Sequence, residues 1–181
     1  MSETPDWAYE RPEIHPPDPT WASRGSALCA ELARLLAPWL ALGKAEHVGS
    51  TAVPGLAAKP VLDVMASMRD LSPETVSAVV PVLSADGWCF VPPELDVAAP
   101  WRRFFVLPDA EGRHRVAHLH LLPEGHPRWQ AQLEFRDALR ADPGLAAEYA
   151  SVKRRLAEEV PDREEYTARK TDFVRRVLSA K

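Results

Sequence analysis

One acidic side chain constrains this chain more than any other feature. The segment Pro60-Val61-Leu62-Asp63-Val64-Met65 reads as a strand that is apolar on both faces except at Asp63. A carboxylate in such a strand is costly to bury unless it is paired or binds a metal. Upstream, the small pair Gly49-Ser50 closes a short apolar segment, Ala45 to Gly49, and a loop carrying Pro54 and Gly55 joins the two. Glycine lets backbone approach a ligand closely, and free amides with the Ser50 and Thr51 hydroxyls can hold phosphate oxygens. Lys59 adds a point charge suited to phosphate. Ser50 and Asp63 thus come from separate strand ends, and a phosphate cradle and a metal ligand can converge. That is the logic of nucleotidyl transfer, where positioning and charge neutralisation are the protein's main task. The plainer alternative is a turn whose glycines serve backbone geometry alone, with Asp63 capping an amide.

The 181 residues fit one domain. With 46% apolar and 27% charged residues, the chain can build one real core without a metal or disulfide staple. A net charge of −4 argues against a broad nucleic-acid surface, though a local basic pocket remains open. Cys29 and Cys89 each sit in an apolar stretch and read as buried thiols. No apolar run reaches transmembrane length, and the acidic N-terminus lacks a signal-peptide pattern. The expectation is a cytoplasmic protein without a membrane partner.

Residues 1–19 are rich in proline and charge and read as an extended arm; residues 20–181 read as a single domain. A helix is expected from Thr20 to Leu42, its apolar stripe running through Leu28, Leu32, Leu35, Leu36, Trp39 and Leu40, with a kink at Pro38. Ser72-Pro73-Glu74 starts a second helix that Gly87 stops after about Asp86. Strands follow at Trp88 to Val91, Arg102 to Leu107 and Arg115 to Leu122, the last two joined by a hairpin loop at 108–112. From Pro127 the pattern is helical, divided into three helices by Pro143-Gly144 and Pro161-Asp162. The fold class is therefore α/β (α+β): a mixed sheet with flanking helices and a helical C-terminal part.

His118 and His120 lie two apart on a strand and so share a face. If that strand neighbours Asp63, the three could line one pocket with His47. Two imidazoles and a carboxylate suit zinc, manganese or iron better than magnesium. Acid–base work is an alternative and a hydrogen bond to a substrate phosphate a third; the plainer reading is packing on the sheet. A histidine-triad hydrolase would need a third histidine where Leu122 stands, and a two-histidine phosphoesterase needs motifs that are absent.

The stretch from His47 through Gly49-Ser50-Thr51, Pro54-Gly55, Lys59-Pro60 and on to Asp63 closely resembles the signature of the GrpB family. The resemblance continues in Arg102-Arg103-Phe104-Phe105, His118-Leu119-His120 and Phe135 to Arg140, and through Tyr149 and Lys153 to Tyr166 and Lys170. It implies a fold of the DNA polymerase beta-like nucleotidyltransferase superfamily, to which that family is assigned; some members are fused to dephospho-CoA kinase. The superfamily pattern puts a second acid two residues after the first, where this chain has Met65. The two-metal carboxylate set is thus incomplete.

Asp63, His118 and His120 are therefore the candidate catalytic residues. Gly49, Ser50, Thr51, Lys59 and Arg103 are the candidate phosphate ligands, and Asp63, His47, His118 and His120 the candidate metal ligands. The resemblance also makes Arg136, Lys153 and Lys170 candidates for the pocket, although charges on such helices usually form a wet surface. The expected ligands are ATP or another nucleoside triphosphate and a divalent metal, magnesium or manganese with zinc as the alternative. The expected partner is a small-molecule or protein acceptor rather than a nucleic acid. Trp7, Trp21, Trp88, Trp101 and Trp129 read as core or lid residues. A catalytically lapsed nucleotide-binding module and a transition-metal enzyme using the same cleft are the competing readings.

Overall fold

A computed structural model describes residues 5–10, 13–159 and 163–179. Five strands form one mixed sheet in the order β1-β2-β5-β4-β3: Leu40–Val48, Leu62–Met68, Arg115–Pro123, Arg103–Pro108 and Cys89–Val91. β2 and β5 run parallel at its centre and the other pairs are antiparallel.

Alternation along the strands divides the residues between two layers. One face carries Leu62, Val64, Ala66, Met68, Phe105, Ala117, Leu119 and Leu121. It packs under α1 (Thr20–Leu35) and α2 (Pro73–Ala85) through Trp21, Leu32, Val79 and Leu83. Each fully buried leucine here contributes about 1.5–3 kcal/mol. The other face holds Val48, Met65 and Leu122, against which Trp101, Trp129 and Leu133 pack. A second core joins α3 (Pro127–Ala141), α4 (Pro143–Glu159) and α5 (Arg163–Ser179) to the loop after β1, through Phe135, Leu139, Tyr149 and Phe173 against Val53 and Leu56.

The local signals explain most boundaries. Ser72 accepts a hydrogen bond from the Thr75 amide, Pro73 fills the first helical position, and Gly87 turns the chain at φ 84°. The β4–β5 hairpin is closed by Asp109, whose Oδ1 accepts from the Arg113 and His114 amides.

The first helix is shorter than expected. It ends at Leu35, and residues from Leu40 onward pair with β2. Pro38 lacks an amide proton and disfavours helix in the residue before it, so the helix stops ahead of it rather than kinking. Leu36, Trp39 and Leu40 still join the same core, which is why their spacing imitates a longer helix. In the N-terminal arm, Asp6–Tyr9 form a 3-10 turn where extended chain was expected. The arm then docks Glu10 on the hairpin at His114 and Arg115, and pairs His15 with Ala58. The expected break at Pro161-Asp162 falls outside the described residues. Both cysteines are only partly buried, against expectation; burial still pushes the Cys29 thiol up to about 11. Trp21 and Trp88 are core residues. No described helix is long and apolar enough to cross a membrane.

Candidate functional site

The parallel β2–β5 pairing sets Asp63 beside His118 and Met65 beside His120, all on the sheet face away from α1 and α2. His118 Nδ1 lies 3.0 Å from Asp63 Oδ1 and His120 Nε2 lies 3.4 Å from the same oxygen. Phe104, opposite His120 on β4, packs edge-on to His118 and tilted to His120. Burial by itself pushes the Asp63 carboxyl up. The hydrogen bonds from the two imidazoles outweigh it and hold Asp63 well below the usual carboxylate range. Burial pushes His120 down, against the pull of Asp63 and with help from the Arg102 charge. An ionised carboxylate only accepts, so each imidazole turns an N–H towards Asp63.

On the other side of Asp63 the Gly-Ser turn closes in. Gly49 has φ 73°, and a Cβ there would lie 2.6 Å from Asp63 Oδ2. Only glycine combines that backbone with that proximity. The following 3-10 turn, Ser50–Ala52, opens onto a cavity of about 210 Å³. Ser50, Thr51 and Lys59 line it together with Asp63, His118, Lys153 of α4 and Lys170 of α5. Lys153 is 3% exposed; its Nζ donates to Ser50 Oγ at 2.9 Å and to the Ala57 carbonyl at 2.7 Å. Burial, then the charges of Lys170 and Lys59, pull Lys153 down to about 7. Three lysines in one small cavity favour a polyanion.

Thus Ser50, Lys59, Asp63 and His118 converge as the sequence suggested, and Lys153 and Lys170 join them. Four candidates sit elsewhere or are otherwise engaged. His47 pairs with Val64 and so faces α1, where its ring lies against Gly25. It is a buried support and not a fourth ligand beside Asp63. Its Nε2 meets Thr51 Oγ1 at 3.0 Å, and Thr51 Oγ1 donates to the Val61 carbonyl at 3.2 Å. His47 must therefore be the donor, and the Thr51 hydroxyl has no proton left for a phosphate. Burial pulls His47 down to about 4.

Arg103 lies opposite Leu121, on the α1 and α2 side of the sheet, and its guanidinium donates to the Arg102 carbonyl. Arg102 is the arginine that reaches the site. Its Nη1 meets His120 Nδ1, its guanidinium lies over Phe104, and both Asp96 oxygens hold it at 2.8 Å. Sequence alternation allowed one of the pair to face the pocket, but nothing in the sequence said which. Arg136 bonds Glu46 and the His47 carbonyl, and Arg140 bonds the Ala52 carbonyl. Arg136 thus fastens α3 to β1 and Arg140 fastens it to the loop after β1, both from outside the cavity. Asp70 serves the α2 N-terminus through Ser72 and Thr75.

Comparison with known proteins agrees with this architecture. The family model described as "GrpB protein" matches residues 11–180. A UPF0157 protein of Pseudomonas aeruginosa is 37% identical over 174 residues, covering 93% of this chain and 67% of that protein. The chain spans 32% to 67% of the length of the first curated relatives it matches. The crystal structure of the conserved protein GrpB from Enterococcus faecalis superposes with a TM-score of 0.76 at 24% identity, covering 93% of this chain and 98% of that one. Cid1 in complex with its short product ApU superposes at 0.52 with 14% identity, covering 77% of this chain and 42% of Cid1. The latter likeness is one of fold alone. On the match across residues 11–180 and the shared fold, the chain belongs to the GrpB family.

Proposed function

We propose that this chain binds a nucleoside triphosphate and transfers its nucleotidyl group to a small-molecule or protein acceptor. The carrying observation is that Ser50, Lys59, Lys153 and Lys170 line the same cavity as Asp63 and His118. Three ammonium groups and a hydroxyl suit the phosphates of a nucleotide such as ATP, because compact cations neutralise phosphate charge without demanding one geometry. A cavity of about 210 Å³ holds the phosphates and leaves the nucleoside outside. Asp63, ionised at neutral pH, is the ligand for a divalent cation next to them.

The fold supports the transfer chemistry and one residue weighs against it. Met65, at the second-acid position, is 3% exposed and packs with Val48 and Leu122. The residues present do not fit a magnesium pair held by carboxylates. This favours, as the second reading, a module that binds the nucleotide without turning it over.

Two measurements separate the readings. A melting-temperature rise with ATP supports binding, since a ligand of the native state stabilises it. Pyrophosphate release from ATP in the presence of acceptor mixtures, lost in Asp63→Asn, supports transfer. Binding without release supports the module. No melting shift with any nucleoside triphosphate overturns both.

A further inference from the structure

The lateral neighbour of Met65 decides what kind of ion Asp63 can share. In the parallel β2–β5 register that neighbour is His120, and the neighbour of Asp63 is His118. Donor atoms of Asp63, His118 and His120 all lie within 4.8 Å of one another. Ligands about 2.0–2.2 Å from one ion stand roughly 3–3.7 Å apart, so the Asp63 separations of 3.0 and 3.4 Å already match and the third needs a small closure.

We propose that Asp63, His118 and His120 form a site for one nitrogen-preferring first-row metal ion, of the zinc, manganese or iron class, in place of a magnesium pair. Two imidazoles and one carboxylate are the donor set such ions select, whereas magnesium prefers oxygen ligands. Asp63 opens on the lysine-lined cavity, which leaves a coordination position for a ligand oxygen. His118 has its Nε2 buried without a hydrogen-bond partner among the described residues. Its one polar engagement is the face it turns to Asp63.

Arg102 sets how readily the ion enters. An arginine can only donate, so its contact with His120 Nδ1 leaves the lone pair there and the proton on Nε2, facing Asp63. An ion taking Nε2 displaces that proton, which moves to Nδ1 once Arg102 lets go. Asp96 holds Arg102 in place, so Arg102 and the ion compete for one imidazole.

The inference rests on Asp63 as a cation ligand and not on nucleotide binding, so it is tested with metal alone. The chelator-stripped chain is dialysed separately against zinc, manganese and magnesium, and bound metal is measured by mass spectrometry. The expected result is one zinc or manganese per chain at micromolar concentration and no saturation by millimolar magnesium. Binding is lost in His118→Gln and in His120→Gln, and is tightened about tenfold in Arg102→Met. Unchanged circular dichroism in each variant separates lost ligation from lost fold. Equal or tighter magnesium binding, zinc retained in both histidine variants, or no ion bound to wild type or Arg102→Met overturns the proposal. The ATP melting shift, measured without metal, stands or falls separately.

Discussion

Gly49 is packed so closely on Asp63 that a Cβ at residue 49 would lie 2.6 Å from the carboxylate Oδ2. The turn that carries Ser50 and the strand that carries the acid are thereby held at one fixed separation. Gly49→Ala should strain a φ of 73° and push the carboxylate aside, at a cost of about 1–3 kcal/mol. Urea unfolding should show that loss, and the ATP-induced melting shift should fall with it. An alanine variant as stable and as responsive as wild type would contradict this packing.

His47 should make stability depend on pH. Its folded value of about 4 lies below the unfolded value near 6.5, so the unfolded chain binds more protons between these limits. Stability is complete above pH 6.5 and falls as pH drops through 4, by on the order of 3 kcal/mol. Urea midpoints from pH 7 to pH 4 should show the decline, and His47→Gln, which keeps a donor for Thr51, should flatten it. Parallel profiles for the two proteins would refute this.

Lys153 should make phosphate binding weaken as pH rises. With its Nζ near 7, the unliganded lysine loses its proton across neutrality, and a polyanion binds the protonated form. Lys153→Met should bind tripolyphosphate more weakly at pH 6 and show a flatter profile to pH 8. The difference between the two profiles isolates the lysine from titration of the ligand. Identical profiles would remove Lys153 from the site.

Arg136 should matter to stability without belonging to the cavity. It bridges α3 to β1 through Glu46 at 2.9 Å and the His47 carbonyl at 3.0 Å, with a side chain 11% exposed. Arg136→Met should destabilise the fold by about 1–3 kcal/mol in urea. Its dissociation constant for tripolyphosphate should stay within twofold of wild type. A large loss of affinity at unchanged stability would place Arg136 in the binding site instead.

Asp63 was legible in the sequence because a lone acid in an apolar strand has few physical excuses. Lys59 was legible beside the turn, but Lys153 and Lys170 were not legible from spacing, since they reach the cavity only through the docking of α4 and α5 on the loop after β1. His47 misled because its face depends on register: one position away from Val48, the partner of Asp63, it points to the opposite layer. The choice between Arg102 and Arg103 turned on the same parity, at the residue just before β4 and the first residue within it. The end of α1 was obscured by apolar residues that serve the same core from helix, turn and strand.

The most direct test of the central claim is a crystal soaked with a non-hydrolysable nucleoside triphosphate and manganese, read for density between Ser50 and Asp63. The account predicts phosphate oxygens within hydrogen-bond reach of Ser50 Oγ and Lys153 Nζ, and manganese against the Asp63 carboxylate. A nucleotide bound elsewhere, or a cavity without phosphate at saturating ligand, would contradict it.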